Sequence, residues 1–127
     1  MIVNHITPAF VDDRGEITDI LQHIEVDSVT LITCKKGAIR ANHYHKESIQ
    51  YSYVLSGEIV AYSEMPGHKV ESSILNPGDL LVSPPNERHA LHAVKDSTLI
   101  IITKGPRGGG SYENDTYRVE PLHLKIS

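Results

Sequence analysis

The chain is 127 residues long and carries a formal net charge of −4, with 39% hydrophobic and 22% charged residues. This composition fits one compact domain with its own hydrophobic core and excludes a disordered chain. The mild negative charge argues against nucleic acid as a partner, because sequence-independent binding depends on clustered lysine and arginine. No apolar run is long enough to span a bilayer, so we expect no membrane partner either.

Cysteine content and the amino-terminal sequence favour a cytoplasmic location. Cys34 is the only cysteine, so the chain cannot form an intrachain disulfide. A chain without disulfides is typical of a reducing compartment. The first ten residues lack the basic start and the apolar stretch of a secretory signal peptide.

Short runs rich in β-formers alternate with glycine and proline turns along the chain. The predicted strands, in chain order, are Val26–Cys34, Ile49–Leu55, Glu58–Tyr62, Val70–Leu75, Leu80–Val82, His89–Val94 and Thr98–Thr103. No window shows sustained helical periodicity. Many short strands at regular spacing, separated by turn signals, predict an all-β sandwich or barrel. We expect residues 1–127 to form this single domain.

The segment 105–127 is predicted to be a tail that packs on the barrel or on a neighbouring molecule. It begins with a glycine-rich run and continues with scattered apolar residues such as Leu122 and Leu124. Four polar or aromatic tail residues are candidates for the mouth of a site: Tyr112, Glu113, Asp115 and Tyr117.

The predicted strand Ile49–Leu55 is apolar on both faces. Its outward stripe contains Ile49, Tyr51, Tyr53 and Leu55. A barrel strand that faces water on one side is normally polar on that side. We therefore expect this stripe to be covered, and we predict a homodimer formed by packing barrel on barrel.

Three histidines and a glutamine are predicted to converge inside the barrel. His43 and His45 are two residues apart, so their side chains share one face of a strand. If residues 46–48 form a turn, Gln50 returns on the next strand beside this pair. His89 lies on a later strand, and alternate residues of different strands fill one barrel interior. Several polar groups that converge in such an interior predict a functional site.

Two stretches of the chain together resemble the paired motifs of the cupin superfamily. Eight residues keep the spacing of those motifs: Gly37, His43, His45, Gln50 and Gly57 for the first, and Gly78, Pro84 and His89 for the second. Gln50 stands where glutamate is usual, and Asn86 and Ala93 replace the glycine and the asparagine of the second motif. The resemblance implies a small cupin-type jelly-roll barrel, a double-stranded β-helix.

Shorter stretches resemble nucleotide-sugar enzymes of that superfamily. Phe10–Gly15 resembles the F-x-D-x-R-G element of dTDP-sugar 3,5-epimerases. Gly37–Tyr44 resembles their G-x-x-R-G-x-H-Y element, with Ala41 where glycine is usual. The run Arg40–Lys46, followed by Gln50, resembles the dTDP-keto-sugar 3,4-ketoisomerases more closely. This resemblance implies catalysis by histidine as acid and base, with no cofactor and with a nucleotide-sugar as the small-molecule substrate.

Proton transfer next to a keto group is chemistry that histidine can perform. His43 and His45 are the candidate catalytic pair, because the pKa of histidine lies near neutral pH. Gln50 is a candidate substrate-binding residue, since this chemistry needs no anionic metal ligand at that position.

Three cationic residues are further candidates for substrate binding. Arg14 and Arg40 are predicted to bind the diphosphate of a nucleotide-sugar, because guanidinium groups match phosphate oxygens. Lys46 would add positive charge beside them.

A metal-binding cupin is the alternative prediction. His43, His45, Gln50 and His89 would then hold a divalent transition metal such as Fe, Mn, Ni, Zn or Cu. That protein would be a dioxygenase, a metal-dependent isomerase or a small-molecule binding module. A third class is a sugar sensor, or a non-catalytic partner of the glycan assembly enzymes of polysaccharide biosynthesis.

Overall fold

A computed structural model of the chain describes residues 1–105 and 114–126. Within these ranges the regular secondary structure is almost all β-strand. In chain order they are β1 (Ile2–His5), β2 (Phe10–Asp12), β3 (Gly15–Ile17), β4 (Ser28–Cys34), β5 (Ile39–Tyr44), β6 (Ile49–Ser56), β7 (Ile59–Glu64), β8 (Glu71–Leu75), β9 (Asp79–Ser83), β10 (Arg88–Ala93), β11 (Ser97–Lys104) and β12 (Tyr117–Arg118). A 3-10 turn spans Leu122–Leu124. The predicted all-β fold is confirmed.

Ten of the described strands form two antiparallel sheets. The first sheet has the strand order β1-β9-β6-β11-β4, and the second has the order β12-β5-β10-β7-β8. Strands that are neighbours in sequence often lie in different sheets, which is the connectivity of a jelly roll. Among the described strands, β2 and β3 pair only with each other. No described helix has the length and apolarity to cross a membrane.

The inward side chains change from apolar to polar toward one end of the barrel. Along β6, Val54 belongs to the apolar core, whereas Ser52 and Gln50 are buried polar residues. Along β10 the same change runs from Leu91 to His89. Three other strands repeat it in the pairs Ala61 and Ser63, Leu81 and Ser83, and Ile101 and Thr103. One end of the barrel is therefore an apolar core that stabilises the fold, and the other end is a polar interior.

The opposite face of β6 contains the apolar stripe identified in the sequence. Ile49, Tyr51 and Tyr53 are partly buried there, and Leu55 is 51% exposed. This alternation matches the period of a strand with one face in the barrel. The homodimer that the stripe suggested stays a prediction.

The C-terminal segment packs against the second sheet. Tyr117 and Arg118 of β12 pair with Tyr44 and His43 of β5. Leu122 is completely buried. In the described part of the chain, residues 114–126 therefore close the edge of the sheet that contains β5.

Gly57 lies in the turn after β6, and Gly67, in the turn after β7, is a reference for how tightly that first turn packs. Both have a positive φ, of 93° and 81°. A methyl group on Gly57 would collide with Ser97 Oγ and would lie 2.6 Å from the Asp96 carbonyl oxygen, whereas one on Gly67 would meet nothing within 4 Å. We predict that Gly67→Ala costs about 1 kcal/mol of stability from backbone strain alone, and that Gly57→Ala costs about 2–4 kcal/mol because overpacking is added.

Urea denaturation of both variants measures these costs, with the slope of the transition as a check on two-state behaviour. Equal losses for Gly57→Ala and Gly67→Ala would show that the turn yields to the added methyl group.

Candidate functional site

The structure brings the three histidines and the glutamine together in the polar interior. His43, His45, Gln50 and His89 are each at most 7% exposed. The ring centroids of His43 lie 4.7 Å from those of His45 and of His89, and the centroids of His45 and His89 lie 5.4 Å apart. One ring nitrogen of each histidine lies within 4.8 Å of the others. The imidazoles therefore form one cluster, with Gln50 on the same cavity wall as His43 and His89.

Strand register explains why these particular residues meet. In the second sheet His89 is paired with Ser63 on one side and with His43 on the other, and His43 is paired with Arg118. Directly opposite residues of antiparallel strands project from the same face. The four side chains therefore form one row across β7, β10, β5 and β12. Gln50 belongs to the first sheet.

A bulge in β5 places Arg40 on the same wall as His43. His89 pairs with His43 but Ala90 pairs with Ala41, so Asn42 is an extra residue in the strand. In a regular strand, residues three apart face opposite sides, and one extra residue restores them to the same side. Ala41 and Asn42 have φ values of 76° and 53°. Glycine is usual at the Ala41 position of the epimerase motif, and a left-handed backbone explains that preference.

A cavity of about 400 Å³ opens beside the cluster. Its polar wall consists of Arg40, His43, Gln50, Ser52, His89 and Arg118. Its apolar wall consists of Ile32, Ile39, Ala41, Leu91, Leu99 and Ile101. This volume is in the range of small-molecule sites, and few polar groups on an otherwise apolar wall are typical of such sites.

Backbone carbonyls fix the tautomers of two histidines. Nδ1 of His45 lies 2.7 Å from the carbonyl oxygen of Asp115, and Nδ1 of His89 lies 3.3 Å from that of Glu87. A carbonyl oxygen only accepts hydrogen bonds, so both Nδ1 atoms carry the proton. Nε2 of each ring is therefore the basic nitrogen. Among the described residues, Nε2 of His89 is buried and has no hydrogen-bond partner.

Two members of the cluster, His43 and His89, are neutral at pH 7. Burial lowers the pKa of His43 to about 3, and the positive charges of His89, His45 and Arg118 contribute to that shift. Burial also lowers the pKa of His89 to about 4, with a further contribution from His45. An imidazole in this form can accept a proton or donate a lone pair to a metal ion.

These depressed pKa values predict a loss of stability in mild acid. Below pH 6.5 the unfolded chain protonates both histidines, whereas folded His89 and His43 stay neutral until about pH 4 and pH 3. The unfolded state then binds more protons, so the free energy of unfolding falls by up to about 1.4 kcal/mol per pH unit for each residue. Urea denaturation between pH 7 and pH 4.5 measures this slope.

His89→Gln serves as the comparison, because it removes one of the two titrating groups. We expect a shallower acid slope for this variant than for the unaltered chain. An identical slope would mean that His89 is protonated in the folded protein as easily as in the unfolded one.

The structure does not bring Arg14 and Lys46 to the cavity. Arg14 lies on the β2–β3 hairpin, where its guanidinium contacts the Asp12 carboxylate at 2.6 Å and its side chain is 83% exposed. Lys46 follows the buried His45 and points outward, with its ammonium 4.5 Å from the centre of the Tyr117 ring. The hairpin pairs with no other strand that the structure describes, and alternation along the chain turns Lys46 away from the interior. Neither residue lines the cavity in the part of the chain that the structure describes, and their substrate-binding role stays a prediction.

Two tail residues take positions that the sequence analysis did not assign. Arg118 lines the cavity beside His43. Asp115, predicted only as a candidate for the mouth, is instead 4% exposed and contacts the turn after β5. A two-residue strand gives no periodic signal, so Arg118 could not be found by pattern. Tyr112 and Glu113 lie outside the described residues.

The family is shown by sequence. The family model of the cupin domain matches residues 30–103. That match covers more than half of the chain, so the chain belongs to the cupin family. The prediction of a cupin is confirmed. No curated protein sequence matches the chain.

Three solved structures illustrate the similarity in fold. QdtA, a sugar 3,4-ketoisomerase from Thermoanaerobacterium thermosaccharolyticum in complex with TDP, has a TM-score of 0.77 and 20% identity, and the match covers 98% of this chain and 93% of that one. The dTDP-4-dehydrorhamnose 3,5-epimerase of Sulfolobus tokodaii has a TM-score of 0.75 and 19% identity, covering 96% and 76%. RmlC of Legionella pneumophila, in complex with dTDP-4-keto-L-rhamnose, has a TM-score of 0.79 and 13% identity, covering 98% and 74%. At these identities the similarity shows the fold.

Proposed function

We propose that the chain binds a nucleotide-sugar in this cavity and transfers a proton next to a keto group of a dTDP-keto-6-deoxy sugar. The observation that carries the proposal is the shared wall of the cavity. It presents a neutral imidazole, His43, together with the guanidiniums of Arg40 and Arg118. A base beside two anion-binding groups is the arrangement that such a substrate requires.

Arg40 and Arg118 are the groups that would hold the diphosphate. The Arg40 guanidinium is oriented by two contacts, from Nε to Cys34 Sγ at 3.3 Å and from a terminal nitrogen to the Thr33 carbonyl oxygen at 2.8 Å. Guanidinium groups bind phosphate oxygens through several hydrogen bonds at once. The QdtA structure contains TDP, and its name describes a sugar 3,4-ketoisomerase. That similarity supports a thymidine nucleotide as the carrier.

His43 would act as the base. It takes the proton from the carbon next to the keto group. The electron pair of the broken C–H bond is delocalised into the carbonyl, which gives an enolate with its charge on the former keto oxygen. Protonation of the same carbon on its opposite face, by an acid other than His43, gives epimerisation and leaves the abstracted proton on His43. Transfer of the hydroxyl proton between oxygens, followed by protonation of the former carbonyl carbon, gives ketoisomerisation. The amide of Gln50 would donate a hydrogen bond to the enolate oxygen.

The electrostatics of the cavity suit this role once substrate is bound. The low pKa of His43 in the free protein arises from burial and from neighbouring positive charge. A diphosphate beside Arg118 brings negative charge that opposes those effects, so we expect binding to raise the pKa of His43 toward neutrality. His45, whose Nδ1 is held by Asp115, remains the predicted second member of the catalytic pair.

Two variants separate binding from chemistry. We predict that Arg118→Ala raises the Kd for TDP about tenfold, since one charge-assisted contact is lost. We predict that His43→Asn lowers kcat about 100-fold or more with little change in that Kd, since general base catalysis is lost. NMR measures kcat from the turnover of a panel of dTDP-4-keto-6-deoxy sugars. Calorimetric titration with TDP measures the Kd.

Arg88→Ala is the matched control, because its guanidinium stacks on Tyr44 at 4.2 Å and does not line the cavity. It should leave both quantities unchanged. TDP binding without turnover of any sugar in the panel would refute catalysis and favour a non-catalytic sugar-binding module.

A metal-binding cupin is the second candidate, and the histidine tautomers favour it. Nε2 of His89 is a buried lone pair without a hydrogen-bond partner among the described residues, and the Nδ1–H groups of His45 and His89 bind carbonyls as metal-ligating histidines do. Nitrogens on one ion at about 2.1 Å lie at most about 4.2 Å apart, and one nitrogen of each histidine already lies within 4.8 Å of the others. His43, His45, His89 and the Gln50 amide oxygen would hold the metal, which would supply Lewis acidity at the cavity.

Metal analysis of protein purified without chelator tests this candidate. If it is correct, we expect about one transition metal ion per chain, and we expect His89→Ala to lose it while Ser63→Ala retains it. Full isomerase activity after dialysis against EDTA would exclude the metal from the reaction.

A further inference from the structure

Asp115 is a buried carboxylate that organises the turn between β5 and β6. Its two oxygens accept hydrogen bonds from the backbone N–H groups of Lys46, Glu47 and Ser48 at 2.9, 3.1 and 3.0 Å. They also accept one from the Ser48 hydroxyl at 3.1 Å. Burial alone would raise the pKa of Asp115, but these hydrogen bonds lower it below its usual value. The carboxylate is therefore held as an anion, and it accepts hydrogen bonds from three consecutive backbone N–H groups.

The backbone of the same residue contacts the histidine cluster. The carbonyl oxygen of Asp115 accepts the hydrogen bond from Nδ1 of His45 at 2.7 Å. The side chain of Asp115 thus binds the turn, and its main chain binds His45, the residue just before that turn.

The residues after Asp115 reach the cavity from this fixed point. Arg118 pairs with His43 and lines the cavity. The next residues are held by the bulge of β5, since Val119 N–H donates to the Asn42 carbonyl oxygen at 2.8 Å and Leu122 N–H donates to Asn42 Oδ1 at 3.0 Å. Arg118 is therefore held between two anchors, Asp115 before it and Asn42 after it.

We propose that Asp115 is a positioning residue that sets the tautomer of His45 and places the Arg118 guanidinium in the cavity. It touches neither the cavity wall nor a reacting atom, and it acts through these two residues. The part that concerns the reaction rests on the function proposed above, whereas the part that concerns the tautomer does not.

The hydrogen-bond donors around the Asp115 side chain explain why a carboxylate is required at this position. Every partner of the Asp115 side chain is a hydrogen-bond donor, so a group with two acceptor oxygens satisfies all of them. An asparagine of the same size would place its NH₂ group against one or more N–H donors and leave them unsatisfied, which is costly in a buried site. Asp115→Asn therefore changes the hydrogen bonding of the turn between β5 and β6 with little change in side-chain volume.

The first measurement is the tautomer of His45, observed by ¹⁵N NMR of the imidazole nitrogens. In the unaltered chain we expect a single form with the proton on Nδ1. In Asp115→Asn and Asp115→Ala we expect the form with the proton on Nε2 to be populated as well, because the carbonyl is no longer fixed. Asp96→Asn is the control, since Asp96 also accepts a backbone N–H, that of Lys36 at 2.8 Å, but in a turn remote from the cluster.

The second measurement is the affinity for TDP, with the kinetic constants where a substrate has been found. We expect Asp115→Asn to raise the Kd for TDP about tenfold, as Arg118→Ala does, and to lower kcat as well, which Arg118→Ala should not do. In the double variant Asp115→Asn/Arg118→Ala, the two effects on the Kd for TDP should not add, because Asp115 acts through Arg118. Ser48→Ala removes only one of the bonds to Asp115 and should give a smaller effect of the same kind.

The outcomes are separable. An unchanged His45 tautomer in folded Asp115→Asn would overturn the proposal, as would additive effects on Kd in the double variant. If both Asp115 variants fail to fold, Ser48→Ala decides by the same tautomer measurement. Absence of turnover with every sugar, together with a shifted tautomer in Asp115→Asn, would refute the proposed reaction and leave the positioning role intact.

Discussion

The site depends on one local constraint, the extra residue in β5. Ala41 and Asn42 both adopt a left-handed backbone conformation, which is costly for residues with a side chain. The resulting bulge turns Arg40 and His43 to the same wall of the cavity. It also directs the carbonyl and the side chain of Asn42 toward the C-terminal segment, where they accept two backbone hydrogen bonds. A regular strand would supply neither arrangement.

A second property follows from the way the barrel is filled. Five strands carry apolar residues at one end and polar residues at the other, so stability and chemistry occupy different parts of one interior. Burial keeps His43 neutral, and backbone carbonyls orient His45 and His89. Neutral, oriented imidazoles serve acid–base chemistry and metal ligation equally well. The histidine cluster fits both chemistries, so the cationic groups at the cavity matter for assigning one of them.

Much of the architecture was predictable from the sequence because it depends on local patterns. Period-two alternation in Ile49–Leu55 correctly placed Gln50 inside and the tyrosines outside. Glycine and proline turns separated the central strands, and motif spacing identified the cupin family. The short strands β1, β2, β3 and β12 were not predicted, since two to four residues give no periodic signal and depend on the partner strand.

The sequence by itself determined the all-β class, the cupin family and the convergence of His43, His45, Gln50 and His89, because strand alternation and motif spacing are encoded along the chain. Only the tertiary structure decided which cationic groups reach the cavity. Arg14 and Lys46 lie outside it, and Arg118 lies within it beside Arg40. Those positions depend on a bulge, on the pairing of a two-residue strand and on the buried Asp115 carboxylate, 67 residues from the Ser48 that it binds. Contacts over such a separation are set by packing of the folded chain, which no local pattern records.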